Sequence, residues 1–410
     1  MISFPANEHK DYRHLCNEDI ENVAIKLFSY CRANHWAGYD PYDALNSRIL
    51  AAVPLLNFKA ARLLMTQAVK RCPVNLRPLL LVPKTQNPKG IALFLSSIIR
   101  LSRAGMPQEG TEVTSLSNLL LATRTPGVRH SCWGYNFDWQ TRGALVPKYS
   151  PNIICTSFAA NALLDAFELS GDSSWLDVAA NAGEFILEKL FWRDNDSQAY
   201  FCYTPLERSQ IHNANLLGAA LLCRIGRTLS LQKFIEPALE ATRYSVRNQH
   251  EDGSWDYGEA PHQRWIDNFH TGYNLLALQR IRDYGRTADF DSATRKGFNF
   301  YLTHFFNDDG APRYYHNSTY PLDIHCAAQS IITLVGFRQF SETSLALARQ
   351  VLGWAMSNMW DSGGFFYFQK HPHYLVRTPF MRWSQAWMLL ALATLIEDGG
   401  GTKGRDPADK

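Results

Sequence analysis

Residues 249–285 read QHEDGSWDYGEAPHQRWIDNFHTGYNLLALQRIRDYG, and the order of parts in this stretch decides the fold. Asp252-Gly253 signals a tight turn, because glycine accepts positive φ at no steric cost. Trp255 and Tyr257 alternate after it, as in a short extended segment. A polar loop follows. An apolar helix over about 269–284 then opens on His270.

The same order of parts recurs along the chain. Turns at Asp194-Asn195-Asp196, Asp252-Gly253, Asp309-Gly310 and Asp361-Ser362-Gly363 each precede aromatics: Tyr200/Phe201/Tyr203, Trp255/Tyr257, Tyr314/Tyr315 and Phe365 to Phe368. Taking Asp196, Asp252, Asp309 and Asp361 as markers, the spacings are 56, 57 and 52 residues. Trp133-Gly-Tyr-Asn-Phe-Asp138 and Trp36-Ala-Gly-Tyr-Asp40 read as two degenerate copies. Six aromatic breaks therefore each precede an apolar helix.

Two kinds of helix alternate between the breaks. The apolar set is expected at about 90–103, 153–170, 212–226, 269–284, 324–338 and 383–397. LLGAALLCRI (216–225) and WMLLALATL (387–395) are apolar nearly all round, which implies burial on several sides. The amphipathic set is expected at about 18–33, 113–123, 174–190, 231–249, 289–305 and 343–359. In the fourth of these, Leu231, Phe234, Ile235, Ala238 and Leu239 form one stripe. Strict alternation of six buried and six half-buried helices predicts an all-α (α/α)6 toroid. An open solenoid of hairpins is the competing architecture. The ring is favoured because every long loop precedes an inner helix and so lies on one side. A further helix near 58–71 reads as an insertion. The ring domain is expected over 1–398, with a flexible tail over 399–410.

Composition narrows the function. The formal charge is +3 over 410 residues, and no basic stripe stands out, which argues against nucleic-acid binding. The eight cysteines lack a CxxC pair and suit a reducing compartment. No secretory h-region is visible at the start, and no run of 18–20 apolar residues suggests a membrane span. A cytoplasmic protein is the expectation. Aromatics make up 13% of the chain, and the breaks concentrate them at one end of the ring. Aromatic faces there suit sugar rings or terpenoids, although part of them must pack hairpin against hairpin.

The mouth of the ring is where chemistry is expected. His212, His270 and His325 each open an inner helix at spacings of 58 and 55, so they occupy equivalent repeat positions. A helix N-terminus favours neutral imidazole, which accepts a proton. His270 and His325 are read as proton-transfer groups, with Asp138 and Asp267 as carboxylate partners. Substrate contacts are expected from His212, Asp40, Tyr42, Arg142, Lys148, Trp255, Glu259, Trp265, Tyr315 and Arg382. In that set Arg142 and Arg382 would hold an anionic group, while Trp255, Trp265 and Tyr315 would stack on rings. Structural roles compete throughout: the histidines as ties between hairpins, Asp267 and Asp323 as N-caps. No HxxxH or HExxH is present, so no metal and no cofactor are expected.

Gln249-His-Glu-Asp-Gly-Ser-Trp255 resembles the QW repeat of terpene cyclases, but the DxDD and DDxxD motifs of those enzymes are absent. Gly38-Tyr-Asp-Pro-Tyr-Asp43-Ala-Leu-Asn46, Val146-Pro-Lys148 with Pro151-Asn152, and the histidine-bearing inner helices resemble the VpsJ-like bacterial polysaccharide-biosynthesis proteins. That resemblance implies an (α/α)6 ring working beside glycosyltransferases of exopolysaccharide or lipopolysaccharide synthesis. More loosely, the ring is similar to N-acylglucosamine 2-epimerases, uronyl hydrolases and polysaccharide lyases, which place His, Asp or Tyr at this mouth. The expected function is a carbohydrate epimerase, lyase or glycosidase acting on a sugar, nucleotide-sugar or glycan. A non-catalytic glycan-binding partner of glycosyltransferases and an isoprenoid-handling ring are the alternatives.

Overall fold

The computed structural model describes residues 15–53, 58–106, 111–141, 144–194 and 198–400. In chain order its helices are α1 (Asn17–Ala33), a single turn α2 (Arg48–Ala51), α3 (Lys59–Arg71), α4 (Pro88–Arg103), α5 (Thr111–Ala122), α6 (Ile153–Ser170), α7 (Ser173–Phe185), α8 (His212–Leu229), α9 (Gln232–Arg247), α10 (Asn268–Gly285), α11 (Asp291–His304), α12 (Ile324–Gly336), α13 (Ser344–Met359) and α14 (Trp387–Gly400). Wider turns of π type extend α7 over Ile186–Leu190 and precede α14 over Met381–Ala386. The expected alternation is present in full. α3 is the insertion.

The ring closes. Inner helices pack neighbour to neighbour from α4 through α6, α8, α10 and α12 to α14, and α14 packs back on α4. The outer helix α1 packs on α14, so the two ends of the helical chain form one hairpin. The fold is an (α/α)6 toroid. Burial follows the sequence pattern. Every residue of α8 from His212 to Gly226 is buried, whereas α9 buries the stripe Phe234, Ala238, Ala241, Thr242 and Ser245. Leu231, expected on that stripe, lies outside the helix and is exposed. α14 runs to Gly400, two residues past the expected domain end, and residues 401–410 fall outside the described segments. α6 does qualify by length and composition as a membrane-crossing helix, contrary to the sequence reading. In the ring, 61% of it is buried against its neighbours.

Local chemistry sets where the inner helices start. Asn87, Asn152, Asp267 and Asp323 each accept a hydrogen bond from a first-turn N–H of α4, α6, α10 and α12, satisfying donors the helix leaves open. The turns behave as read at Gly253 and Gly310, with φ of +95° and +81°. In the last break the left-handed residue is Gly364, one beyond the expected turn. Residues 195–197, which include Asp196, lie outside the described segments.

Two of the break tryptophans are structural. Trp133 Nε1 donates to the Leu120 carbonyl, and Trp255 Nε1 donates to the Ser245 carbonyl. Each indole thus binds a carbonyl near the end of the preceding outer helix. Trp255 is 2% exposed and packs against Gly297, where an added Cβ would lie 2.6 Å from indole Cζ3. The rigid indole has no room to move aside. Gly297→Val is expected to cost about 2–3 kcal/mol by overpacking, read as a lower urea midpoint at unchanged m-value. An unchanged midpoint would contradict this packing.

Candidate functional site

The break segments fold into a crown over one end of the ring. Short antiparallel pairs staple five of the six breaks, the one after Asp252 having only isolated bridges, and Leu375–Val376, Gln369–Lys370, Ser318–Asp323 and Arg313–Tyr315 form a four-stranded sheet in that order. Under the crown lies a cavity of about 680 Å³. Each of the last five breaks lends aromatics to its wall: Tyr135 and Trp139, Tyr203, Tyr257 and Trp265, Tyr314 and Tyr315, and Trp383. Several are pre-packed, with Tyr257 stacked on Trp265 at 4.6 Å and Tyr135 on Phe137 at 5.2 Å. A rigid aromatic wall of this size accommodates one or two sugar rings.

Two of the three repeat histidines line this cavity. His270 Nδ1 lies 2.7 Å from Asp267 Oδ2. That carboxylate is itself immobile, because Oδ1 caps the His270 N–H and Oδ2 also accepts from Trp265 Nε1 at 2.9 Å. The carboxylate therefore holds the Nδ1–H tautomer and leaves Nε2 as a base. The His270 side chain is 20% exposed, enough to meet a ligand.

His325 is placed differently. It is buried, with Nε2 2.6 Å from the Tyr273 hydroxyl, and its ring is stacked between Phe269 and Trp387 at 4.6 Å from each. Its Nδ1 has no hydrogen-bond partner among the described residues. Burial, then the nearby Lys89 and Arg382 charges, holds the His325 pKa well below the ordinary imidazole value. It is therefore neutral at physiological pH. The Tyr273 ring lies 6.0 Å from both His270 and His325, so the two imidazoles flank one phenol.

His212 does not reach the cavity. It is buried behind Glu259, with Nδ1 3.1 Å from Ser245 Oγ and Nε2 2.8 Å from Glu259 Oε1. Glu259 does line the wall, and the His212 hydrogen bond keeps its carboxyl below the ordinary range. The inner helices carry equivalent positions, but the His212 ring turns back toward α9.

The other sequence candidates divide. Tyr42, Trp265, Tyr315 and Arg382 line the cavity. Tyr42 receives a hydrogen bond from Lys70 Nζ at 3.0 Å. Arg382 was expected to hold an anion and Asp40 to touch substrate. Instead they bind each other: Arg382 Nε and Nη2 donate to Asp40 at 2.6 and 2.8 Å, deep in the protein. Asp43 likewise pairs with the fully buried Arg77, whose Nη2 donates to the Asp40 carbonyl. The Gly38–Asn46 stretch is thus spent on anchoring its own loop. Asp138 is not a partner of the histidines; its Oδ1 accepts from the Lys148 N–H, and neither residue lines the cavity. Trp255 is a core residue, as described above. Arg142 lies outside the described segments.

Lys89 was missed. It follows the Asn87-Pro88 cap as the second residue of α4, is 3% exposed, and faces the cavity. The signal was a lone lysine opening the apolar run GIALFL. Tyr273 was missed as well, although its i+3 spacing from His270 put it on the same face.

No protein-family model matches the sequence, and no curated protein sequence does either. Solved structures match over three quarters of the chain or more. A cellobiose 2-epimerase from Bacillus thermoamylovorans superposes with a TM-score of 0.60 at 10% identity, covering 76% of this chain and 88% of its own. A GH76 α-mannanase from Bacteroides thetaiotaomicron gives 0.59 at 12% identity, covering 78% and 88%. An unsaturated glucuronyl hydrolase specific for heparin gives 0.59 at 13%, covering 94% and 97%. At these identities the likeness is one of fold.

Proposed function

We propose that this protein is a carbohydrate-active enzyme that moves a proton to or from a sugar held in the mouth cavity. The carrying observation is that two imidazoles with different partners, His270 on Asp267 and His325 on the Tyr273 hydroxyl, line one cavity on either side of Tyr273. Asp267 orients His270 for proton abstraction at Nε2. His325, kept neutral and bonded to the Tyr273 hydroxyl, forms a second proton-transfer unit. Such a pair suits epimerisation or elimination, where one group removes a proton and another returns one. Glycosidase chemistry would call instead on a carboxylate pair; Glu207 and Glu259 line the cavity, and Glu259 is engaged by His212. The shared ring with proteins described as a cellobiose 2-epimerase, an α-mannanase and an unsaturated glucuronyl hydrolase supports a sugar ligand. On the VpsJ-like stretches, we place the enzyme in the bacterial cytoplasm beside glycosyltransferases of surface-glycan assembly.

The test is solvent exchange. The protein is incubated in D2O with a panel of reducing mono- and disaccharides, neutral and acidic, and the carbon-bound protons are followed by NMR. Deuterium entering at one ring carbon, or loss of that proton with a new double bond, is the expected result. Sugars that bind without exchange or product would instead point to a glycan-binding partner.

A further inference from the structure

Lys89 is a buried amine whose charge, when it is protonated, no carboxylate among the described residues balances. Its ammonium sits among three ring faces, 4.4 Å from the Phe158 centroid, 5.1 Å from Trp387 and 5.3 Å from Tyr273. Ring faces attract a cation but accept no ordinary hydrogen bond. Among the described residues Nζ has no hydrogen-bond acceptor and no carboxylate in ion-pair contact, although an ammonium has three donors to place. The charged and titratable groups around it come from four further elements. Arg382 precedes α14, Cys155 is on α6, Tyr273 on α10 and His325 on α12. Asp40 stands nearby, but both its oxygens are taken by Arg382. Burial keeps the Cys155 thiol up at about 12 and the Tyr273 phenol well above its ordinary value, and His325 is held low, so all three are neutral. Asp40 and Arg382 cancel. With Lys89 protonated, one positive charge is left at the cavity wall.

We infer that the sugar taken by this cavity is acidic, and that its carboxylate binds the Lys89 ammonium. This rests on the reading of the cavity as a sugar site and names the class of sugar. A carboxylate supplies one negative charge and two acceptors to a site with one surplus charge and unfilled donors. A phosphate monoester would bring a second charge into an apolar, water-poor surround with nothing to meet it. Burying an unpaired ammonium works against folding, so a fold that keeps one at a cavity wall has it for a ligand.

The empty site leaves a measurable trace. Burial first, and then Arg382, brings the Lys89 pKa down to about 7. A bound carboxylate favours the charged amine and raises it. Binding therefore takes up roughly half a proton at pH 7 and close to one at pH 8. Affinity falls about tenfold per pH unit above 8, since only the protonated form receives the anion.

The experiment is titration calorimetry of the full chain with glucuronate and galacturonate, with glucose and galactose as neutral counterparts, and with glucose 1-phosphate. It is run at pH 7 and 8 in two buffers of different ionisation heat. The expected result is at least one uronate bound about tenfold or more tighter than its neutral counterpart, with proton uptake. Lys89→Met should bind acid and neutral sugars alike while remaining at least as stable to heat as the native protein. Lys89→Arg should keep the preference and lose the uptake, because guanidinium does not titrate here. Equal affinity for uronate and neutral sugar, a preference retained in Lys89→Met, or tighter binding of the sugar phosphate would each overturn the inference. Neutral sugars binding without acid preference would leave the cavity a sugar site. If no sugar of either kind binds, both readings fall.

Discussion

Asp40→Ala is expected to destabilise the protein by about 3–5 kcal/mol, more than any other single change in the crown. Among the described residues the carboxylate is the one ion-pair partner of Arg382, whose side chain is 4% exposed and pairs through both Nε and Nη2. Removing it strands a nearly buried guanidinium at the cavity wall without its carboxylate. The two residues are 342 apart in sequence, so the pair also ties the first crown loop to the last and supports ring closure. Urea denaturation of the variant should show the loss. The double variant Asp40→Leu/Arg382→Met should recover much of it, because two apolar chains of similar size leave no buried charge. A loss below about 1 kcal/mol for Asp40→Ala would mean that Arg382 finds water or another partner, and the pair would then not be the lock described.

The second large effect is on rate. His270→Ala is expected to lower kcat by about 10² to 10⁴ on the sugar identified by exchange, with KM and thermal stability nearly unchanged. The separation follows from position. His270 is partly exposed to the cavity, and among the described residues its side chain hydrogen-bonds only to Asp267. Asp267→Ala should lower both rate and stability, since that carboxylate caps α10 and binds Trp265 as well as His270; loss of the cap alone costs about 1 kcal/mol. A His270→Ala enzyme within threefold of native kcat would remove it from the mechanism, and Asp267 would then be a structural residue only.

The readings that held concern near neighbours in sequence. Helix starts at Asp267 and Asp323 depend on a side chain meeting an N–H two or three residues on. Turns at Gly253 and Gly310 depend on one residue's φ. Both are visible in the order of letters. The assignments that changed share a different feature. Asp138, Asp40, Trp255 and His212 were all correctly placed in crown loops or at helix starts. What each side chain met was decided by another hairpin, or by the far side of its own loop. Asp138 met the Lys148 N–H, Asp40 met Arg382, Trp255 met Gly297 and His212 met Ser245 and Glu259. Crown membership says which end of the ring a residue occupies. It does not say whether the side chain points into the cavity or into the wall.

By itself, then, the sequence determined the ring: alternating buried and one-sided helices, a break of fixed composition before each inner helix, and histidines at repeat-equivalent positions. Hydrophobic periodicity and capping are local, so they survive without knowledge of the fold. Only the tertiary structure decided the site. Closure of α14 against α4 brings Lys89, Tyr273 and His325 from three inner helices to one cavity, with Trp387 of α14 packed on Lys89 and His325. It also spends Asp40 on Arg382. The reason is electrostatic as much as geometric. Whether a buried charge is balanced or left over depends on all the charges around it, and these arrive from opposite ends of the chain.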